Sequence, residues 1–429
     1  MLYLLLAFSF ALSIGSYYTH NKAVAPGVLF NIVWTMVYLL LIININSFYD
    51  VSDTVVAIMF AGQLFFNLGS QTKLRFSKTT SVHFVDSGSD FAISSQMVLV
   101  QIVVLLAILP FAYKALNSIN LYGFAMQRYY FATNTDHLFT TFERYFYIYL
   151  VIFPLNKSLC MLCCMELIYR KRVSFRLCLS IVSVGLETVI TAGRFTIVDI
   201  IFCFLIVFET IRNKKLKDRE SKRLRRLVFY GVAALFCGVM LLSSLRTMRK
   251  GSMIAILLSN TADYFTIGPR LLDLAISSPV EWGIYDFGLG GFSLAGFFEI
   301  VRSTFAFIGI PVDLTFFGRS QEVAGIYHVI SATGQRANAF PTMYYYFLRD
   351  FSYFGIAIMP FIMGTICKGM YIRCRGKALW PCLKYSYLML TILYSSCWWQ
   401  PIRPEYWSGF LWMVICYKIF VSKKRTILR

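Results

Sequence analysis

Long apolar stretches, separated by short polar or basic links, recur along the whole of the 429-residue chain. A helix needs about 20 apolar residues to cross a bilayer, and only helices and closed barrels satisfy their backbone hydrogen bonds there. Hydrophobic residues make up 58% of the chain and charged residues 14%, which is more apolar surface than a soluble core can bury. The sequence therefore predicts an all-α integral membrane protein, a polytopic bundle of about eleven transmembrane helices.

The formal net charge of +20 is carried by short clusters of lysine and arginine between the apolar stretches. This is the positive-inside pattern of membrane topology, and it argues against a nucleic-acid interface. The clearest cytoplasmic links are Arg170-Lys171-Arg172 and the segment from Arg212 to Arg226. The first cation of the chain is Lys22, which follows the first apolar stretch. We therefore predict an N-terminus outside and a C-terminus in the cytoplasm.

This topology divides the chain into three parts. Residues 1–245 form an N-terminal bundle of about eight helices, residues 246–350 one long extracytoplasmic loop, and residues 351–429 a C-terminal group of about three helices. The loop contains an apolar stretch from Phe292 to Ile310, which Glu299 and Arg302 interrupt. Because charges are costly inside a bilayer, we interpret this stretch as a helix that lies on the membrane surface or re-enters it.

Several helix boundaries follow from the same pattern. One helix is predicted from Gln96 to Tyr113, followed by an outer loop from Lys114 to Arg144 and a helix from Phe146 to Tyr169. A hairpin is then predicted, with helices from Phe175 to Thr191 and from Phe195 to Ile211.

The long loop holds seven arginines and one lysine against eight carboxylates. A planar guanidinium grips a phosphate or carboxylate at two points, which an ammonium group cannot do. Arg246 and Arg249 share one face if the helix before them continues past the membrane, with Lys250 alongside. These cations can grip a diphosphate at the outer headgroups. Alternatively they are membrane anchors, since arginines at helix ends reach back to the interface.

The chain carries no recognisable ligand set for a metal or a nucleotide. None of the eleven cysteines falls in the long loop, and no histidine there has a second ligand at metal spacing. The sequence also lacks a P-loop, a glycine-rich dinucleotide turn and a Gly-x-Ser-x-Gly elbow. We therefore predict no metal site and no cofactor.

Lys157, Glu187 and Asp199 lie inside predicted helices. An isolated charge in hydrocarbon costs about 2.5 to 3.5 kcal/mol or more, so these side chains should face the bundle interior and pair. We expect Lys157 to contact Glu187 or Asp199. Such a pair is either purely structural, or it fixes the hairpin so that Arg194 points into a site.

Short motifs stand at the ends of the predicted helices and in the long loop. They are Thr191-Ala-Gly-Arg194, Tyr264-Phe-Thr-Ile-Gly-Pro269, Asn338-Ala-Phe-Pro-Thr342, and Asp350-Phe-Ser-Tyr-Phe-Gly355 with Gly364 beyond it. Together they resemble the Wzy-type O-antigen polymerases, also called oligosaccharide repeat unit polymerases. Members of that family typically carry Asp-Phe-Gly-x-x-Gly where the last helices begin, and Ser352 replaces the first of these glycines here. The resemblance covers residues 194–364 in pattern and the whole chain in layout.

The resemblance implies a helix bundle similar to the GT-C-like lipid-diphosphate glycosyltransferases, in the bacterial inner membrane with its N-terminus in the periplasm. It implies an enzyme that joins oligosaccharide repeats linked to undecaprenyl diphosphate into O-antigen or a similar surface polysaccharide, without metal or nucleotide. The implied partners are the lipid-linked oligosaccharide, membrane lipid, and a chain-length regulator and a flippase of the same pathway.

Two alternatives remain open at this point. An O-antigen ligase would use the same donor and transfer it to a lipid A core. A flippase or other transporter of lipid-linked oligosaccharide is the second alternative, but transporters are expected to show inverted repeats and short loops on both sides. The single long outer loop argues against a transporter.

The candidate site residues fall into two groups. Arg194, Arg246 and Arg249 are expected at the diphosphate, where cations stabilise a leaving group. The alternatives for a base that deprotonates the acceptor hydroxyl are Glu299, His328 and Asp350. The expected substrate contacts are Arg128, Tyr264, Arg270, Arg302, Arg336 and Asn338.

Overall fold

The computed structural model describes residues 1–20, 22–72, 91–133, 138–211, 226, 231, 238, 252–324, 326–337, 341–374 and 379–423. Within them the chain is mainly helical, with two short two-stranded sheets. The helix predicted directly before Arg246 lies outside the described residues, apart from single positions.

The α-helices are, in chain order, α1 (Leu2–His20), α2 (Pro26–Ile43), α3 (Asp53–Gln71), α4 (Gln96–Thr133), α5 (Thr141–Arg144), α6 (Ile152–Arg170), α7 (Phe175–Thr191), α8 (Phe195–Ile211), α9 (Met253–Ser277), α10 (Ala295–Phe307), α11 (Phe316–Ala324), α12 (Met343–Cys374), α13 (Leu379–Leu393) and α14 (Pro404–Phe420). A π-helical turn (Tyr145–Leu150) joins α5 to α6, and a 3-10 turn (Gln400–Ile402) precedes α14. The antiparallel strand pairs are β1 (Phe91–Ile93) with β4 (Val421–Lys423), and β2 (His328–Val329) with β3 (Arg336–Ala337).

Within the described part of the chain, 5 helices are long and apolar enough to cross a membrane. They are Pro26–Ile43, Asp53–Gln71, Gln96–Phe131, Thr141–Arg170 and Met343–Cys374. The predicted all-α membrane-embedded architecture is therefore confirmed. The total of about eleven spans stays a prediction, because helices such as α7 and α8 have 17 residues each and are shorter than the usual span of about 20.

The hairpin of α7 and α8 begins and ends at the predicted residues. Ser174 caps α7, since its Oγ accepts a hydrogen bond from the N–H of Leu177 at 3.3 Å. Ala192 ends the helix in the left-handed conformation, with φ 41° and ψ 37°. The turn that leads to Arg194 is therefore defined by the ends of the two helices.

The predicted outer loop after Tyr113 was wrong, because α4 continues to Thr133. The residues directly after Tyr113 include no glycine or proline before Gly123, so nothing in the local sequence ends the helix there. Gly123 then breaks the helical geometry with φ 82° and ψ 167°, a conformation open mainly to glycine. A second helical segment follows this break and carries Arg128.

The next helical segment starts earlier than the predicted Phe146. Thr140 and Glu143 form a capping box: Glu143 N–H donates to Thr140 Oγ1 at 3.2 Å, and Thr140 N–H donates to Glu143 Oε2 at 2.8 Å. This Thr-x-x-Glu spacing is a recognised signature of a helix start. The signal was present in the sequence and marks the short helix α5.

The long loop contains a helix of 25 residues, α9, which was not predicted from the sequence. It includes the Tyr264–Pro269 motif and Arg270, so these residues lie on a helix. The helix expected between Phe292 and Ile310 is confirmed as α10. Its position on or in the membrane surface stays a prediction.

The described residues fall into two compact units. The first takes those within Met1–Val82, Leu258–Gly376 and Tyr387–Tyr406, and the second those within His83–Leu257, Lys377–Ser386 and Trp407–Arg429. In the first unit α12 packs directly on α3. A Cβ on Gly69 would lie 2.1 Å from the Phe361 carbonyl oxygen, and one on Gly364 would lie 2.2 Å from that of Phe66. Small residues at these positions let the two backbones touch, as is common between membrane helices.

Candidate functional site

In the second unit, Arg128 reaches the turn that carries Arg194. Its Nη1 donates to the main-chain carbonyl of Thr191 at 3.2 Å, and Gln127 Nε2 donates to that of Ile190 at the same distance. These carbonyls belong to the last turn of α7, where they lack a partner within the helix. Two arginines that the sequence assigned to the site, Arg128 and Arg194, therefore belong to the same end of α7.

Arg144 lies close to Arg128, although the sequence pattern did not indicate it as a site residue. Its guanidinium carbon lies 5.5 Å from the centre of the Phe131 ring, and that of Arg128 lies 5.9 Å from the same ring. Both arginines are half-buried. The capping box before α5 was the signal that could have placed Arg144 in a folded segment.

The turn before Arg194 is held by its own hydrogen bonds. Gly193 N–H donates to the Thr191 hydroxyl at 3.2 Å and to the Thr188 carbonyl at 3.3 Å. The carbonyl of Arg194 accepts from Val198 N–H at 3.1 Å and so begins α8. Arg194 is half-buried at the start of that helix.

Polar side chains link the three helices that meet at this turn. The carboxylate of Glu187 on α7 accepts from Asn156 Nδ2 of α6 at 2.8 Å and from Thr196 Oγ1 of α8 at 2.7 Å. Lys157 of α6 forms an ion pair with Asp199 of α8. The expected contact of Lys157 is thus with Asp199, and Glu187 binds neutral donors.

Arg128 and Arg144 lie beside the same Phe131 ring, and Arg128 also binds the main chain of the turn that leads to Arg194. A half-buried guanidinium group attracts an anion more strongly than a fully hydrated one. Its fork of donors matches the oxygens of a phosphate. A diphosphate is therefore the kind of ligand that the side chains of Arg128, Arg144 and Arg194 are suited to bind.

In the first unit, Arg349 and Asp350 stand at a break inside α12. Ser352 leaves helical geometry with φ 51° and ψ −149°. The carbonyls of Arg349 and Asp350 accept hydrogen bonds from the N–H groups of Gly288 at 3.0 Å and Leu289 at 3.2 Å. A segment of the long loop therefore docks onto the broken helix.

Asp350 anchors this loop through its side chain as well. Its Oδ1 accepts from Phe292 N–H at 2.9 Å and its Oδ2 from Ser293 N–H at 2.7 Å, and the residue is 0% exposed. Both oxygens are engaged by main-chain donors. The environment favours an anchoring role for this candidate base.

Arg349 was counted among the loop cations but was not selected as a site residue. Its guanidinium carbon lies 3.7 Å from the centre of the Phe292 ring, and the group pairs with Asp286. The partly exposed Arg319 binds the same carboxylate at 2.8 Å. The position of Arg349 directly before Asp350 was the only signal of its importance in the sequence.

The backbone conformation explains the glycine positions of the Asp350–Gly355 motif. A backbone with φ 51° and ψ −149° is nearly restricted to glycine, so Ser352 occupies a position where glycine is unstrained. A Cβ on Gly355 would lie 2.0 Å from the Phe347 carbonyl oxygen, because the broken helix folds closely on itself. The pattern Asp-Phe-Gly-x-x-Gly therefore fits this break.

Two other motifs meet in the same unit. A Cβ on Gly268 would lie 2.1 Å from the Ser396 carbonyl oxygen and 3.3 Å from Thr342 Cγ2. The Tyr264–Pro269 motif thus packs against the end of the motif that closes at Thr342. Glycine is required at position 268 because the neighbouring backbone fills the space of a side chain.

Glu299 and Arg302 pair with each other on α10. Arg302 donates from Nε to Glu299 Oε2 at 2.9 Å and from Nη2 to Oε1 at 2.6 Å, and the Ser303 hydroxyl adds a bond of 3.1 Å. The pair reduces the cost of placing both charges in an apolar helix. The proton-accepting oxygens of Glu299 are therefore engaged.

His328 differs from the other two candidate bases. Its ring lies 4.6 Å from that of Trp282, and its Nε2 is buried without a hydrogen-bond partner. Burial lowers the pKa of His328 below its usual value, and the nearby Glu281 carboxylate opposes that shift. The imidazole is consequently neutral at pH 7 and has an unbonded ring nitrogen.

The guanidinium of Arg270 forms hydrogen bonds within the protein. It donates to the Tyr49 carbonyl at 2.7 Å, to the Asn44 side-chain oxygen at 2.9 Å and to the Thr266 carbonyl at 2.9 Å. Burial lowers its pKa to about 10, although Asp50 and Asp263 act in the opposite direction. Arg270 therefore remains charged at pH 7 and ties the segment after α2 to α9.

Two of the remaining candidates lie among the described residues. Tyr264 is half-buried on α9, and Arg336 is exposed on β3, where it pairs with Val329. Arg246, Arg249 and Asn338 lie outside the described residues. The expected helix face shared by Arg246 and Arg249 thus stays a prediction.

Within the described part of the chain, no three His, Cys, Asp or Glu side chains are grouped so that they could hold a metal ion. No protein-family model, curated protein or solved structure matches the chain.

Proposed function

We propose that this protein is a membrane glycosyltransferase of the O-antigen polymerase type, which joins oligosaccharide repeats linked to undecaprenyl diphosphate. The observation that carries the proposal is the contact between Arg128 and Thr191, which brings two arginine-bearing segments to the same end of α7. The membrane-spanning helices and the motif pattern support the same assignment. The proposed place of action is the periplasmic face of the bacterial inner membrane.

In this reaction the growing saccharide leaves its lipid diphosphate. The bond between the anomeric carbon and the diphosphate oxygen breaks, and a bond from the acceptor hydroxyl oxygen to that carbon forms. The diphosphate leaves with the electron pair, so negative charge develops on it. Arg128, Arg144 and Arg194 stabilise that charge, which is the type of interaction that accelerates such a step most.

The acceptor hydroxyl must lose its proton as the new bond forms. Of the three candidate bases, His328 has an unbonded ring nitrogen, whereas the oxygens of Glu299 and Asp350 accept hydrogen bonds within the protein. A neutral imidazole accepts a proton near pH 7. The choice of base among these three residues stays a prediction.

A gel of surface polysaccharide from a strain lacking the gene tests the proposal. A polymerase defect leaves a lipid A core that bears one repeat, and plasmid-borne wild-type protein restores the ladder of long chains. A bare core in the deletion strain would contradict polymerisation and would indicate a ligase or a flippase.

A further inference from the structure

Glu187 touches both ends of the turn that carries Arg194. Its main-chain carbonyl accepts from the Thr191 hydroxyl at 3.0 Å, and its carboxylate accepts from the Thr196 hydroxyl at 2.7 Å. Thr191 precedes Arg194 by three residues, and Thr196 follows it by two. The position of Arg194 is therefore bracketed by two contacts of one residue.

The same carboxylate fixes the turn to a third helix. Asn156 of α6 donates to the other oxygen of Glu187 at 2.8 Å, and its neighbour Lys157 pairs with Asp199 of α8. Glu187 is 3% exposed. A buried polar network of this kind specifies one arrangement, because breaking it would leave polar groups without partners.

We infer that Glu187 is a positioning residue that holds Arg194 and the Arg128-bound turn in the geometry that binds a diphosphate. The inference rests on the proposed function, because the diphosphate is the proposed ligand of these arginines. Glu187 does not touch the ligand. Its carboxylate acts through Thr196, and α6 serves as the fixed support through Asn156.

The chain offers a matched control at the other end of the same helices. Glu166 of α6 is also a buried carboxylate, and it accepts from Arg176 Nη2 of α7 at 2.6 Å and from the Ser174 hydroxyl at 2.9 Å. Glu166→Gln therefore makes the same substitution at a buried carboxylate without touching the turn.

The test measures binding of inorganic pyrophosphate to the purified full chain in detergent, by the shift of its thermal unfolding with ligand concentration. Glu187→Gln retains only one accepting oxygen, so we expect about tenfold weaker binding than in wild type. The double variant Asn156→Asp with Glu187→Gln reverses donor and acceptor and should recover most of the affinity. Glu166→Gln should bind pyrophosphate like wild type, whatever its effect on stability.

A second pair of variants keeps the test decisive if Glu187→Gln fails to fold. Thr196→Ser preserves the hydroxyl that Glu187 accepts from and should bind like wild type, whereas Thr196→Val should weaken binding several-fold. Wild-type affinity in both Glu187→Gln and Thr196→Val would overturn the positioning role alone. Absence of pyrophosphate binding by wild type would overturn the anion site and the positioning role together.

Discussion

Arg128 donates a hydrogen bond to the main-chain carbonyl of Thr191 across 63 residues of sequence. This contact joins the far end of α4 to the turn between α7 and α8. It depends on the break at Gly123, since the segment that carries Arg128 follows that break. The placement of a side chain in the proposed anion site is thus linked to one glycine.

Replacing Gly123 with alanine should damage this placement. The position has φ 82° and ψ 167°, and a Cβ would meet nothing within 4 Å, so the cost is conformational strain of about 1–3 kcal/mol. We expect shorter polysaccharide chains at normal protein levels, read from a gel. Gly185→Ala is the control, because this glycine lies within α7 with open space around it and alanine favours the helix. Equal polymer length in both variants would contradict the role of Gly123.

Ser352→Gly should stabilise the protein. The serine adopts φ 51° and ψ −149°, a region in which glycine is unstrained, so relief of about 1 kcal/mol is expected. The measurement is thermal or denaturant-induced unfolding of the purified protein. Ser352→Ala keeps the strain and should show no gain. An unchanged or lowered midpoint for the glycine variant would show that the break in α12 is not strained.

Arg270→Ala should reduce stability rather than substrate affinity. The change leaves the carbonyl of Tyr49 without its donor and removes one of the two donors to the Asn44 side-chain oxygen, at a cost of about 1–3 kcal/mol. Membrane protein levels should fall, and the protein that remains should polymerise at a normal rate per molecule. A normal protein level together with loss of polymerisation would instead return Arg270 to the substrate site predicted from the sequence.

His328 should make the folded protein less stable as the pH falls. Its pKa is lower in the folded protein than in the unfolded chain, so its contribution is present above about pH 6.5 and is lost as the pH falls through the folded-state pKa. The thermal midpoint of wild type should therefore fall more between pH 7 and 5 than that of His328→Phe. Identical pH profiles of the two proteins would contradict the burial of a neutral imidazole.

The boundaries of the α7–α8 hairpin were predicted correctly because local signals mark them. The α7–α8 hairpin has a serine cap at one end and the Ala192-Gly193 turn at the other, and its boundaries were correct. The α4 boundary was wrong because the charge at Lys114 was interpreted as a loop signal, although nothing after it interrupts the helix before Gly123. The helix α9 was not predicted because its polar residues interrupt the apolar pattern of a membrane-spanning helix.

The contacts of the candidate residues were predicted only in part, because they join distant segments. Arg128 and Arg194 were selected from their types and their positions near helix ends, but no spacing rule relates residues so far apart. In the second unit Arg144 contacts the Phe131 ring, and in the first unit Arg349 contacts Phe292 and pairs with Asp286. The engagement of Asp350 by main-chain donors likewise depends on how the long loop folds back.

The most direct test of the anion site is the polymerisation rate of purified protein supplied with lipid-linked repeats, in the presence of a strong chelator. Lysine cannot form the two parallel hydrogen bonds that a guanidinium makes to a phosphate. Arg128→Lys, Arg144→Lys and Arg194→Lys should therefore each slow polymerisation by about tenfold to a hundredfold. Arg319→Lys, at a partly exposed ion pair with Asp286, should stay near wild type. Wild-type rates in all three lysine variants, or activity that requires added magnesium or manganese, would contradict catalysis by these arginines.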